Sequence, residues 1–177
     1  MSRRLRAALV TAAFSGSWLA AAPAGQAESS TFCVGSADIV QITPGWSLEP
    51  TTGTVSTVID GTQQCTGPIE GHQPTGTMRT HHEMVYGYLQ PNTCSDIDAK
   101  GWVDYSVPTA DGVVAIRNHV TATLHPSSDP PGKSGTFSGD HASGRFFLRP
   151  IEGDCVNSPL TRLEARWIST WDSERRK

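Results

Sequence analysis

The chain lacks most of the signatures that announce chemistry. No Cys-x-x-Cys pair and no Cys/His spacing of the zinc type occurs among its four cysteines, Cys33, Cys65, Cys94 and Cys155, so a structural zinc has no ligand set. A Gly-x-Ser-x-Gly elbow is missing, and no glycine-rich loop links a strand to a helix as phosphate binding requires. There is no basic stripe either. With 14 Lys and Arg against 17 Asp and Glu the formal net charge is −3, which argues against nucleic acid and anionic membrane surfaces as partners. Beyond the N-terminus no apolar run is long enough to span a bilayer, and no stretch carries a helical stripe. These absences predict a protein with no metal and no cofactor.

What is present begins with an export signal. Arg3, Arg4 and Arg6 precede an apolar stretch from Ala7 to Ala22, followed by small residues at Ala22-Pro23-Ala24 and Gly25-Gln26-Ala27. That is the layout of a secretory signal peptide. Arg6 sits where a twin-arginine motif wants an apolar residue, so general export is expected. Residues 1–27 read as the leader and residues 28–177 as a single antiparallel β domain, secreted to the extracellular space and long enough to bury a core. The leader carries three of the 14 basic residues and none of the 17 acidic ones, so its removal takes the charge from −3 to about −6. In an exported chain the even cysteine count predicts two disulfides, with three connectivities open.

Alternation of period two, punctuated by Gly and Pro, predicts seven strands near 33–43, 52–62, 76–90, 97–108, 113–125, 135–149 and 160–171. Asp111-Gly112 lies between two alternating runs, the strongest short hairpin signal. Taken as the loop, it pairs Tyr105 with Asn118, Val103 with Val120, Gly101 with Ala122 and Asp104 with His119. Cross-strand partners share a face. Gly101, Val103, Tyr105 and Val107 therefore line the core with Ile116, Asn118, Val120 and Ala122, while Trp102, Asp104 and His119 face out. Asn118 is the polar intruder and needs a partner such as the Tyr105 hydroxyl.

Further on, Ala142, Gly144, Phe146 and Leu148 are expected inward, as are Leu163, Ala165, Trp167 and Trp171. The turn near "TPGWSLEP" brings Cys33 and Cys65 to one end and favours their bridge, leaving Cys94 with Cys155. A strict seven-strand meander puts that second pair at opposite ends, so either the order is not a pure meander or the pairing differs. The architecture is an all-β small antiparallel barrel or a two-sheet sandwich of about seven to eight strands. Glycines 87, 101, 139 and 144 inside strand patterns favour a strongly curved sheet.

The runs "TFCVGSADIVQITPGWSLEP" and "SGTFSGDHASGRFFLRPIEGDC" give the chain a resemblance to small secreted disulfide-bonded β proteins of high-GC Gram-positive bacteria, mostly of unassigned function. An early Cys before a strand and a Pro-Gly turn, a late Gly-x-Phe-x-Gly-Asp strand and a final Cys before the last strand carry it. The resemblance implies an exported β domain with two disulfides and transfers no catalytic residue.

The stretch "TMRTHHEMVYGY" concentrates the ionisable chemistry. Neighbours on a strand point to opposite faces, so His81 pairs with Glu83 rather than with His82. Either Val85, Gly87 and Leu89 or Met84, Tyr86 and Tyr88 can form the inward set. With the first choice, His81 and Glu83 line a barrel mouth as an acid–base pair, the basis of an isomerase- or cyclase-like barrel enzyme. His82 then faces out. The competing expectation, placed first, is a non-enzymatic binding module. Its ligand candidates are Trp102, Tyr105 and Asn118, and its partner an extracellular protein, a carbohydrate or a small molecule. The proline-rich segment 125–135 reads as a connection that could also serve as a recognition loop.

Overall fold

A computed structural model describes residues 30–35, 37–125 and 133–171. The leader, the centre of the 125–135 connection and the C-terminal tail lie outside them. Ten strands run β1 (Thr31–Gly35), β2 (Asp38–Trp46), β3 (Gly53–Ile59), β4 (Gly61–Thr66), β5 (Met78–Tyr86), β6 (Asp98–Thr109), β7 (Gly112–His125), β8 (Lys133–Gly139), β9 (Ala142–Glu152) and β10 (Leu160–Trp171). Every pairing is antiparallel, and the described residues contain no helix that could cross a membrane.

The ten strands make eight staves. β1 and β2 lie end to end along one edge of β10, with Thr31 opposite Trp171 and Asp38 opposite Ala165. β3 and β4 lie end to end along β5 in the same way. From that doubled first stave the chain passes to its neighbour each time, and β10 returns to pair with β2, closing an eight-stranded barrel in strict up-and-down order. Closure leaves no long edge unpaired and decides for the barrel over the sandwich.

Strand count resolves the disulfides. The stretch expected as one strand over 135–149 is a hairpin, β8 and β9, turning at Asp140-His141. One additional strand reverses the direction of everything after it. The segments 87–97 and 153–159 therefore meet at the same end of the barrel, where Cys94 bonds Cys155. Cys33 bonds Cys65 at the other end, from directly paired positions on β1 and β4. Both expected bridges form, and the meander is pure.

The β6–β7 hairpin shows a smaller correction. The turn is centred on Ala110-Asp111, with Thr109 opposite Gly112, and Gly112 alone takes the positive φ of 130°. Sliding the loop back by one residue shifts each partner by two, which preserves faces. The expected inward set stays inward, but partners change. Tyr105 now faces Ile116, Asp104 faces Arg117, and His119 faces Trp102.

The core lies inside the barrel. Trp167 is its hub, with His82, Phe146 and Phe137 rings at 4.5, 5.2 and 5.3 Å. Trp46 and Tyr86 plug the Cys94–Cys155 end, while Trp171 packs on Tyr105 towards the other. Closing a chain separation of 61 residues, the Cys94–Cys155 bridge is expected to contribute about 4 kcal/mol by the loop-entropy relation. Replacing both cysteines by serine should lower stability by that order in chemical denaturation under oxidising conditions.

Candidate functional site

β5 carries the residues singled out by sequence, and of the two faces left open above it turns the set with Met84 and Tyr86 inward. Met78, Thr80, His82, Met84 and Tyr86 are buried, while Arg79, Glu83 and Val85 are exposed and His81 is half-buried. The inward placement of His81 and Glu83 is overturned. The alternation alone was ambiguous, but the charges were not. One set holds Arg79, His81 and Glu83; the other holds no Asp, Glu, Lys or Arg and His82 as its single histidine. Three ionisable residues on one face mark the solvated side.

Outside, His81 Nδ1 lies 2.9 Å from Asp60 Oδ1 and Nε2 lies 3.3 Å from Glu83 Oε1. Hydrogen bonding to Asp60 raises the His81 pKa above its usual 6.5, against some lowering by burial, with Glu83 adding to the rise. The group is a surface ion pair.

Glu83 also belongs to a larger arrangement. Across the outer wall, register places Ser56, Glu83, Trp102 and His119 in one row. Asp140 extends it, its carboxylate 2.8 Å from His119 Nδ1. A second row holds Thr54, Val85, Lys100, Thr121 and Ser138. Between the two runs the inward row Val55, Met84, Gly101, Val120 and Gly139, where two strands contribute no side chain. A Cβ on Gly101 would lie 2.1 Å from Glu83 O and 2.6 Å from Met84 Cα. β5 and β6 therefore approach closely at Gly101, and the outward rows flank a hollow of about 820 Å³.

Trp102 forms part of this hollow and is 40% exposed, whereas Trp46, Trp167 and Trp171 are buried. Its ring sits 3.6 Å from the His119 ring, tilted by 47°. Arg117 reaches over it at 5.3 Å while holding Asp104 through two hydrogen bonds of 2.6 and 2.7 Å. That pairing keeps the Asp104 carboxyl below the usual range. The carboxylates of Glu83 and Asp140, the Lys100 amine and the His119 ring stand around the hollow. Such a surface offers a flat aromatic platform, carboxylate acceptors and the hydroxyls of Thr54, Thr121 and Ser138.

Tyr105 and Asn118 are on the inside. Both are buried, the Tyr105 hydroxyl hydrogen-bonds the Asn118 side chain as expected, and burial pushes the phenol pKa far up. The Asn118 amide also accepts from the His141 backbone N–H at 2.9 Å, which ties the β8–β9 turn to β7. These two residues brace the wall; the structure does not bring them together with Trp102.

Sequence reasoning missed the interior pair. His82 is 1% exposed, and its Nδ1 lies 2.7 Å from Asp38 Oδ2. Trp167 Nε1–H donates to the same carboxylate, 3.1 and 3.2 Å from its two oxygens. The His82 backbone N–H donates to Thr57 Oγ1 at 2.7 Å. Among the described residues no three His, Cys, Asp or Glu side chains are grouped as metal ligands. No protein-family model, curated protein or solved structure matches the chain.

Two measurements follow from this geometry. His81 should titrate above 6.5 by NMR, and Asp60→Asn should lower its midpoint more than Glu83→Gln does. Because the folded pKa is raised, the stabilisation is complete below 6.5 and fades as pH rises through the folded midpoint; at this exposure it is worth at most about 1 kcal/mol. Asp38→Ala, which strips His82 and Trp167 of their buried partner, should cost about 3–5 kcal/mol in denaturant unfolding.

Proposed function

We propose that the protein is an exported, non-enzymatic binding module whose binding surface is the outer hollow centred on Trp102. Two disulfides fit an oxidising compartment, and the N-terminal sequence reads as a leader for export. The observation that carries the binding reading is the pairing of an exposed tryptophan with a depression of about 820 Å³, a volume in the range of ligand sites. A disulfide-stapled barrel serves here as a rigid scaffold, and the hollow faces outward.

The ligand is a neutral, polyhydroxylated molecule of the carbohydrate class. A tryptophan face packs against the C–H face of a sugar ring. The Glu83 and Asp140 carboxylates accept hydrogen bonds from sugar hydroxyls, with Thr54, Thr121 and Ser138 able to donate and accept around them. Two carboxylates in the hollow disfavour a strongly anionic ligand. The exposed His81–Glu83 pair supports no enclosed acid–base reaction, because water reaches both groups.

Trp102 is the exposed tryptophan among those described, so acrylamide quenching reports on it selectively. Titration with soluble glucose-, mannose- and N-acetylglucosamine-based oligosaccharides should protect it, and Trp102→Ala should weaken binding at least tenfold without loss of fold. If no oligosaccharide protects Trp102 while the barrel is intact, the carbohydrate reading fails.

A further inference from the structure

The pairing of β9 with β10 gathers positive charge that the sequence spreads out. Of the arginines in the described residues, Arg79 and Arg117 stand elsewhere, while Arg145, Arg149, Arg162 and Arg166 stand on these two strands. The strands carry two acids, Glu152 and Glu164, which leaves 4 − 2 = +2 on a mature chain of about −6. Register sets Arg149 opposite Glu164, Phe147 opposite Arg166 and Arg145 opposite Ile168. Their neighbours, Ile39 and Gln41 on β2 and Ser134 and Thr136 on β8, add no acid. Glu164 organises the group. It is 7% exposed, and its two oxygens hold two different arginines, both exposed. Arg149 donates to Oε2 through Nε at 3.0 Å and through a terminal nitrogen. Arg166 donates to Oε1 through Nε alone, at 2.9 Å. A guanidinium carries five N–H donors, so among the described residues both terminal nitrogens of Arg166 and one of Arg149 stay open to a ligand. Beside them Arg145 lies over the exposed Phe147 ring at 5.7 Å.

We infer that the outer face of β9 and β10 binds a polyanion through its phosphate or sulfate ester groups, held by the Arg149–Arg166 pair that Glu164 positions. Two arginines outweigh the one carboxylate between them, so the pair keeps a net positive charge. Two guanidinium groups sharing one anion need more acceptors than a carboxylate's two oxygens, and a phosphate or sulfate ester presents three. Arginine at all four positions fits such groups, because its planar fork meets them with two parallel hydrogen bonds where lysine offers a point charge. A second copy docked symmetrically through this face would set arginine against arginine, which disfavours a dimer here. Around the eight staves β10 stands four from β6 in either direction. The face therefore lies opposite the Trp102 hollow, and this inference does not rest on the carbohydrate reading.

The test titrates the ¹⁵N-labelled oxidised mature domain with dextran sulfate, polyphosphate and neutral dextran at low ionic strength, followed by calorimetry and NMR. Despite its net negative charge the domain should bind one or both polyanions and not dextran, with shifts at the Arg149 and Arg166 Nε–H signals. Preference between the two polyanions identifies the ester. Removing both arginines alone would strand a buried carboxylate, so the variant is Arg149→Gln/Glu164→Gln/Arg166→Gln. It should bind at least tenfold more weakly. Its charge change is −2 + 1 = −1, the same as that of Arg79→Gln on β5, which should leave binding unchanged. Arg149→Lys/Arg166→Lys keeps the charge, loses the forks and should weaken binding at least threefold. A folded domain that binds neither polyanion overturns the inference. So does a triple variant that binds no more weakly than Arg79→Gln, since net charge then governs. A lysine variant as tight as the native domain overturns the positioned pair, and shifts confined to Trp102 overturn the site by placing the polyanion in the hollow.

Discussion

The barrel exists because its first stave lies on its last, and the Asp38 carboxylate fastens that seam. Asp38 stands at the start of β2, and Trp167 donates to it from β10 across the closure. His82 binds it from β5, on the opposite side of the neighbouring stave β3. One buried carboxylate thus joins the seam to the next wall and sets the ring of Trp167 flat against His82. The remaining aromatic packing is arranged around that ring. A buried acid of this kind is tolerable only when paired and hydrogen-bonded, and here every partner comes from a different strand.

The wall between the outer hollow and the core is one sheet thick. Along the inward row from Val55 to Gly139, absent side chains at Gly101 and Gly139 allow close approaches, Gly101 to the backbone of Glu83 and Met84 and Gly139 to Asn118 and the His119 carbonyl. The outer depression lies over these close approaches. Trp102 is exposed for a related reason: its neighbours across the sheet, Glu83 and His119, are polar and held by their own partners, so nothing apolar folds over it.

Much of this was legible in the sequence. Alternation identified an all-β chain and the inward face of β6, β7 and β10, because a half-buried strand repeats every two residues whatever it pairs with. Barrel closure was not legible, since it depends on a pairing between the two ends of the chain. The β8–β9 turn was readable in principle. Phe137 is buried at an odd position and Ala142, Phe146 and Leu148 at even ones, and such a change of phase marks a turn rather than a bend. Reading Gly139 and Gly144 as bends in one strand concealed it. On β5 the charges pointed to the solvated face, and neglecting them exchanged His82 for His81. Asp38 gave no signal, because its partners are distant in sequence.

The seam also governs how the chain assembles in time. Thr31 pairs with Trp171, so the strand made first waits for the strand made last. Hairpins such as β6–β7 can form as soon as they are made, whereas closure must meet the entropy of a loop spanning almost the whole domain. Until it forms, the outer edges of β1 and β2 stay unpaired, and an open edge is a template for pairing with another chain. The slowest and most vulnerable step in folding is therefore the one that makes the barrel a barrel.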